Sequence, residues 1–179
     1  MDTPDPVTKS AAIAFCDIVD FSQLVGAEGD LAAANILRVY FDRVSQLAKE
    51  NDCATIKFIG DGCLATFENV DDAMSVIVGI QRLLAESGPL AERQLAVSFS
   101  LNFGDVVYME TSYGPDVFGE QVNIAAHLNG LACGHQLVIS QAAFDRLPGE
   151  MRSRAGASET HSFKRAGTVQ FHRIDLAPV

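Results

Sequence analysis

The 179-residue sequence has no CxxC pair, no basic stripe and no apolar run approaching the length of a membrane span. Cys16, Cys53, Cys63 and Cys133 lack the paired spacing of a zinc site, so reduced thiols in a cytosolic protein are the expectation. A bilayer-crossing helix needs about 20 apolar residues, and their absence predicts no membrane association. The opening "MDTPDPVTKS" lacks the basic and apolar regions of a signal peptide, so residues 1–10 read as a flexible lead-in and the location as cytoplasmic. Basic residues number 13 against 23 acidic ones, a net charge of −10. A nucleic-acid binder shows the opposite balance, so nucleic acid is excluded as a partner. Any phosphate-handling site here must be neutralised locally, by metal ions or a few placed cations. There is no internal repeat and no low-complexity segment.

What is present fits an ordinary globule, with 48% hydrophobic and 20% charged residues. A chain of this length forms one domain and buries about 70% of its unfolded surface. "AAIAFCDIVDF" (11–21) is a short apolar run that reads as a buried strand. Residues 30–49 carry Leu37, Tyr40, Phe41, Val44, Leu47 and Ala48 at helical spacing, with Asp30 as the expected cap. Two short strands follow near 54–59 and 63–68, joined by Asp61-Gly62 as a type I′ turn. A helix is expected at 70–86, then a strand in which Leu95, Val97, Phe99, Leu101 and Phe103 share a face. "ETSYGPDVFGEQ" reads as a loop and "QVNIAAHLNGLA" as a helix. "HQLVIS" is a strand, "QAAFDRL" a short helix capped by Ser140, and 160–175 a last hairpin. The order predicts an α+β fold, a mainly antiparallel sheet with helices on one side.

The stretch "IKFIGDGCLATF" is the least generic in the chain. It puts an acid, Asp61, in a hairpin turn and a base, Lys57, inside an otherwise apolar strand. Asp61-Gly62 alone is only a turn signal, and Asp17 alone is only an acid ending a strand. Together they are two acids able to converge on a hard divalent cation, which leaves other positions for phosphate oxygens. Two such ions about 3.5–4 Å apart clamp the attacking and leaving oxygens of a phosphoryl transfer.

"FCDIVDFSQL", "KFIGDGCLATF", "NFGDVV", "YGPDVFGEQVNIAAHL" and "GHQLVIS" resemble, in order and spacing, the class III nucleotidyl cyclase catalytic domain. The resemblance covers about residues 11–175, which makes 11–179 the catalytic domain. It implies a ferredoxin-like βαββαβ core with extra C-terminal strands. It also implies two Mg²⁺ or Mn²⁺ ions per site on Asp17, Asp61 and the carbonyl of Ile18, with the amides of Phe21 and Ser22 cradling phosphate. Lys57 matches the base-reading lysine and Asp116 its partner; guanylyl cyclases usually place glutamate where Lys57 stands. An ammonium donates to adenine N1 and a carboxylate accepts from N6, so ATP is the implied substrate. Cytosine offers a similar edge, so compact bacterial pyrimidine cyclases, which act in defence against phage, stay open.

Asn123 matches the residue that orients the ribose. His127 stands where the family has an arginine that stabilises the transition state, and this is the clearest departure. Geometry is kept, because residues four apart share a helix face, but a permanent fork of charge becomes an imidazole. Lowered or retuned turnover follows, with a nucleotide-binding regulatory module as the non-catalytic alternative. Lys164 and Arg165 are candidates for the triphosphate. The resemblance further implies a homodimer, Asp17 and Asp61 of one copy facing Lys57, Asp116, Asn123 and His127 of the other. Phe118 and the alanine-rich "NIAAHLNGLA" are candidates for burial near that interface.

Overall fold

The computed structural model describes residues 4–86, 88–164 and 166–176. The first half of the chain forms β1 (Val7–Ile18), α1 (Phe21–Glu28), α2 (Asp30–Glu50), β2 (Thr55–Ile59), β3 (Gly62–Phe67), α3 (Val70–Ala85) and α4 (Pro89–Glu92). The second half forms β4 (Val97–Thr111), β5 (Gly114–Phe118), α5 (Glu120–Asn129), β6 (Gln136–Ser140), α6 (Gln141–Phe144), α7 (Gly149–Arg152), β7 (Glu159–Phe163) and β8 (Gly167–Asp175). The strands make one eight-stranded sheet in the order β2-β3-β1-β4-β6-β8-β7, with β5 paired to β4. Among the described residues, only the β4–β6 pairing is parallel. The run β2-β3-β1-β4, with α2 and α3, is the expected ferredoxin-like core; β6 to β8 are the extra C-terminal strands.

The alternation of β1 explains the layers. Ala12, Ala14, Cys16 and Ile18 face a core shared with Tyr40 of α2, Ile77 of α3 and Phe99 of β4. Ala11 and Ile13 face the opposite side, against Ala125 of α5. Helices therefore cover both faces of the sheet, not one. The polar alternates of β4 are the reason. Ser100 Oγ donates to the Ala125 carbonyl at 2.7 Å, and Asn102 Nδ2 donates to the Gln121 carbonyl at 2.9 Å. These polar alternates fasten α5 to the sheet.

Several boundaries move for physical reasons. β1 begins at Val7, because the backbone of Val7–Ser10 pairs with Asp105–Tyr108 although those side chains are exposed. The strand thus takes in residues 7–10, which the hydrophobic run had left to the lead-in. "ETSYGPDVFGEQ" is not a loop: β4 runs on to Thr111 and returns as β5. The β2–β3 turn is Gly60-Asp61, one residue earlier than expected, since Ile59 pairs with Gly62. Only Gly60 has positive φ, 62°, the type II′ pattern rather than type I′. Asp30 is the first helical residue of α2 behind Gly29 and gives no side-chain cap. Ser140 does cap α6, accepting from the Ala143 amide at 3.2 Å, and Asn69 caps α3, accepting from Asp72 at 2.9 Å. Such caps contribute about 1 kcal/mol each.

Candidate active site

Asp17 is near the C-terminal end of β1, paired across the strands with Gly62. A Cβ at Gly62 would sit 2.7 Å from Asp17 Oδ1 and 2.7 Å from the Cys16 carbonyl. Only glycine lets the β2–β3 hairpin close over this carboxylate and carry Asp61, one residue earlier, alongside. Burial first, and then the charge of Asp61, push the Asp17 carboxyl above its ordinary value. Two carboxylates held in this way carry an uncompensated repulsion that a divalent cation relieves.

Ile18 is buried and pairs with Val97. Asp20 then turns the chain with φ 58°, a left-handed conformation that aspartate tolerates better than most residues. That turn starts α1 at Phe21, so the Phe21 and Ser22 amides open a helix N-terminus three and four residues beyond Ile18. Ser22 is exposed, while Phe21 packs partly against the main core. Among the described residues no cluster of three or more His, Cys, Asp or Glu is found. The donor set here is two carboxylates and a carbonyl, all hard oxygens, which fits Mg²⁺ or Mn²⁺ with phosphate oxygens and water as the remaining ligands.

Lys57 and Asp116 meet elsewhere in the chain. Lys57 Nζ is 2.7 Å from Asp116 Oδ1, joining β2 to β5. The Val117 amide also donates to Asp116 Oδ1, at 2.6 Å. The lysine hydrogen bond is the main cause holding the Asp116 carboxyl below its ordinary value. The result is a charged donor fixed beside a charged acceptor, both about one-third exposed (38% and 33%). The loop expected around Asp116 would not have fixed it; β5 does.

On α5, Ile124, Ala125 and Leu128 are buried, which turns Asn123 and His127 outward together. The His127 ring stacks on Phe163 of β7, centroids 4.9 Å apart and planes at 13°. Lys164 follows Phe163 directly and is exposed in the β7–β8 turn. Arg165, the other cation singled out, lies outside the described residues. Phe118 is 53% exposed, and Ala125 of α5 is fully buried against the sheet. Among the described residues, no hydrogen bond or ion pair joins Asp17 or Asp61 to Lys57, Asp116, Asn123 or His127. A cavity of about 830 Å³ is lined by Val7, Lys9, Thr55, Glu68, Tyr108 and Asp116. It lies at the end of β1 away from Asp17. Two parts of the site were invisible in the motifs: the clearance at Gly62 and the stack on Phe163. The first is legible only through strand register, and the second joins residues with no sequence signal between them.

The ferredoxin-like sheet, with Asp17 and Asp61 at one strand end and the Lys57–Asp116 pair apart from them, has the fold of nucleotidyl cyclase catalytic cores. The chain belongs to the adenylate and guanylate cyclase catalytic domain family, whose model matches residues 4–174. It is 25% identical over 143 residues to the putative adenylate cyclase 3 of Rhizobium meliloti, covering 79% of this chain but 24% of that relative's length. The catalytic core of a rhodopsin-guanylyl cyclase with converted specificity, solved with ATPαS, superposes with TM-score 0.83 at 17% identity, over 97% of this chain and 100% of that one. A Trypanosoma brucei adenylate cyclase in its monomeric state gives 0.79 at 17% identity, over 94% and 90%. The guanylate cyclase domain of RhGC from Catenaria anguillulae, with GTP, gives 0.80 at 16% identity, over 98% and 100%. At these identities the structures establish the fold. Among the described residues, no helix is long and apolar enough to cross a membrane.

Proposed function

We propose that this chain converts ATP to 3′,5′-cyclic AMP and pyrophosphate, in the cytoplasm, at sites shared between two copies. The observation that carries this reading is the Lys57–Asp116 pair at 2.7 Å. It sets a donor beside an acceptor, the complement of adenine N1 and N6. A guanine edge presents the reverse order and would leave both charges mismatched. Cytosine's edge resembles adenine's, but no feature of the structure favours it.

Asp17 and Asp61, with the Ile18 carbonyl, would hold two Mg²⁺ or Mn²⁺ ions. Bound there, those ions supply Lewis-acid activation of the ribose 3′-oxygen and offset charge on the phosphates. The Phe21 and Ser22 amides bind phosphate oxygens at the start of α1. Asn123, projecting from α5, orients the ribose so that its 3′-oxygen lies in line with the α-phosphorus. His127 donates to the oxygens on which negative charge grows, and Phe163 holds its ring flat. Lys164 meets the triphosphate, with Arg165 beside it. The site is completed between copies: Asp17 and Asp61 come from one chain, Lys57, Asp116, Asn123 and His127 from the other. The missing contacts within one chain and the exposed Phe118 support that sharing.

The test is incubation of purified protein with each of the four nucleoside triphosphates and Mn²⁺, with products identified by mass. Cyclic AMP is the expected main product. Cyclic CMP or cyclic UMP without cyclic AMP would overturn the adenine reading, and binding without any cyclic product would make the domain a non-catalytic one.

A further inference from the structure

The two acids of the metal site each stand beside a cysteine in a matched place. Cys16 precedes Asp17 in β1, and Cys63 follows Asp61-Gly62 in β3. Register pairs the two cysteines directly across the strands. Their sulfurs are 2.8 Å apart, both residues are at least 95% buried, and the Tyr40 hydroxyl donates to Cys16 Sγ at 3.5 Å. Neither thiol has a role in the chemistry above. Small residues are common at such core positions, so two facing thiols, one adjacent to Asp17 and the other two residues from Asp61, are a specific arrangement.

The geometry points to a reversible disulfide between Cys16 and Cys63 that switches the metal site off. Directly paired residues in an antiparallel ladder have Cα atoms about 4.5 or 5.5 Å apart. Both distances fall within the span of about 4.4–6.8 Å that a disulfide bridges. The Cβ atoms must come closer, from about 4.5–5.5 Å to about 3.8 Å, so closing the bond draws β1 and β3 together. The site has no slack for this. Gly62 already stands where a single added carbon would lie 2.7 Å from the Asp17 carboxylate. Drawing the strands together therefore displaces Asp17 against the hairpin that carries Asp61.

Hydrogen peroxide, small and uncharged, is the class of oxidant suited to a buried pair. One thiol loses its proton and attacks a peroxide oxygen; an S–O bond forms, the O–O bond breaks and water leaves. The second sulfur then attacks the sulfenic sulfur, forming S–S, breaking S–O and releasing a second water with the second thiol's proton. Two thiols lose two electrons and the peroxide gains both.

The linkage stands independently of the cyclase reading; its effect on turnover rests on that reading. The test uses the full chain carrying Cys53→Ser and Cys133→Ser, so that only this pair can react. The protein is oxidised with peroxide, thiols are counted after denaturation, and linked peptides are mapped by mass. Mn²⁺ affinity and turnover are measured before and after. The expected result is a Cys16–Cys63 peptide, Mn²⁺ binding and turnover weakened about tenfold by the displaced carboxylate, and both restored by dithiothreitol. Adding Cys63→Ala should abolish the sensitivity. Free thiols or sulfinic acid at both positions would overturn the proposal. A complete linkage with unchanged Mn²⁺ affinity would overturn its coupling to the site. If the reduced protein makes no cyclic nucleotide yet links and loses Mn²⁺, the cyclase reading fails and the switch stands.

Discussion

The contact between Gly62 and the Asp17 carboxylate is the tightest constraint at the scale of single residues. Gly62→Ala must push its methyl group into Oδ1, 2.7 Å away, or open the hairpin. Turnover should fall by about 100-fold, as expected when a positioned group moves by an ångström, while thermal unfolding stays cooperative. Asp17→Ala and Asp61→Ala should each abolish turnover with the fold retained; activity within a few-fold of the parent would exclude the two-metal reading. Lys57 and Asp116 predict a pH effect of defined sign. The Asp116 carboxyl lies below its ordinary value of 3.8 because of Lys57. Its stabilising contribution is therefore present above that value and lost as pH falls through the lower folded one. Lys57→Met should remove that acid-dependent part, worth under about 1 kcal/mol for a pair this exposed, in urea melts from pH 6 to below 3. At His127 the stack on Phe163 fixes a ring, and an imidazole lacks the forked, permanent charge of a guanidinium. His127→Arg should raise turnover about tenfold, or 1.4 kcal/mol. An unchanged rate would show that His127 does not stand in for the arginine.

At the scale of elements, α5 carries Asn123 and His127 and is held by Ser100 and Asn102 of β4. Asn102→Ala should cost about 1–3 kcal/mol in denaturant melts through the lost buried hydrogen bonds, and lower kcat more than it raises KM as α5 loosens. The elements most legible in the sequence were those whose burial follows one period. Helix α2 and helix α3 show an apolar stripe, and the first half of β4 shows strict alternation. The failures share a cause: pairing that involves no apolar face leaves no pattern. Val7–Ser10 are held by backbone hydrogen bonds with exposed side chains, and β5 buries a single residue, Val117, too few to show a period. The same blindness hid the second helical layer, because Ser100 and Asn102 bury polar atoms against a helix backbone. In the site, Asp17, Asp61, Lys57 and Asp116 were legible as motif positions. The ion pair joining the last two, and the clearance at Gly62, needed register.

At the scale of the whole molecule, the chain spans 24% of the length of the Rhizobium meliloti relative it matches, so the domain is the part whose chemistry is at issue. Among the described residues, no hydrogen bond or ion pair joins Asp17 or Asp61 to Lys57 or Asp116, and the cavity beside Val7 and Lys9 touches only Asp116 of these four. Two copies related by a two-fold axis would make two equivalent sites, each drawing half its groups from either chain. Substrate choice belongs to this scale as well: Lys57→Glu with Asp116→Cys should weaken the preference for ATP, read as the ratio of cyclic AMP to cyclic GMP formed. Sharing is tested most directly by mixing Asp61→Ala chains with Asn123→Ala chains, each inactive alone. After subunit exchange, half of the dimers are mixed and each keeps one intact site, so activity should recover to about a quarter of the parent's. No recovery once exchange has been verified would place each complete site within a single chain and contradict the account.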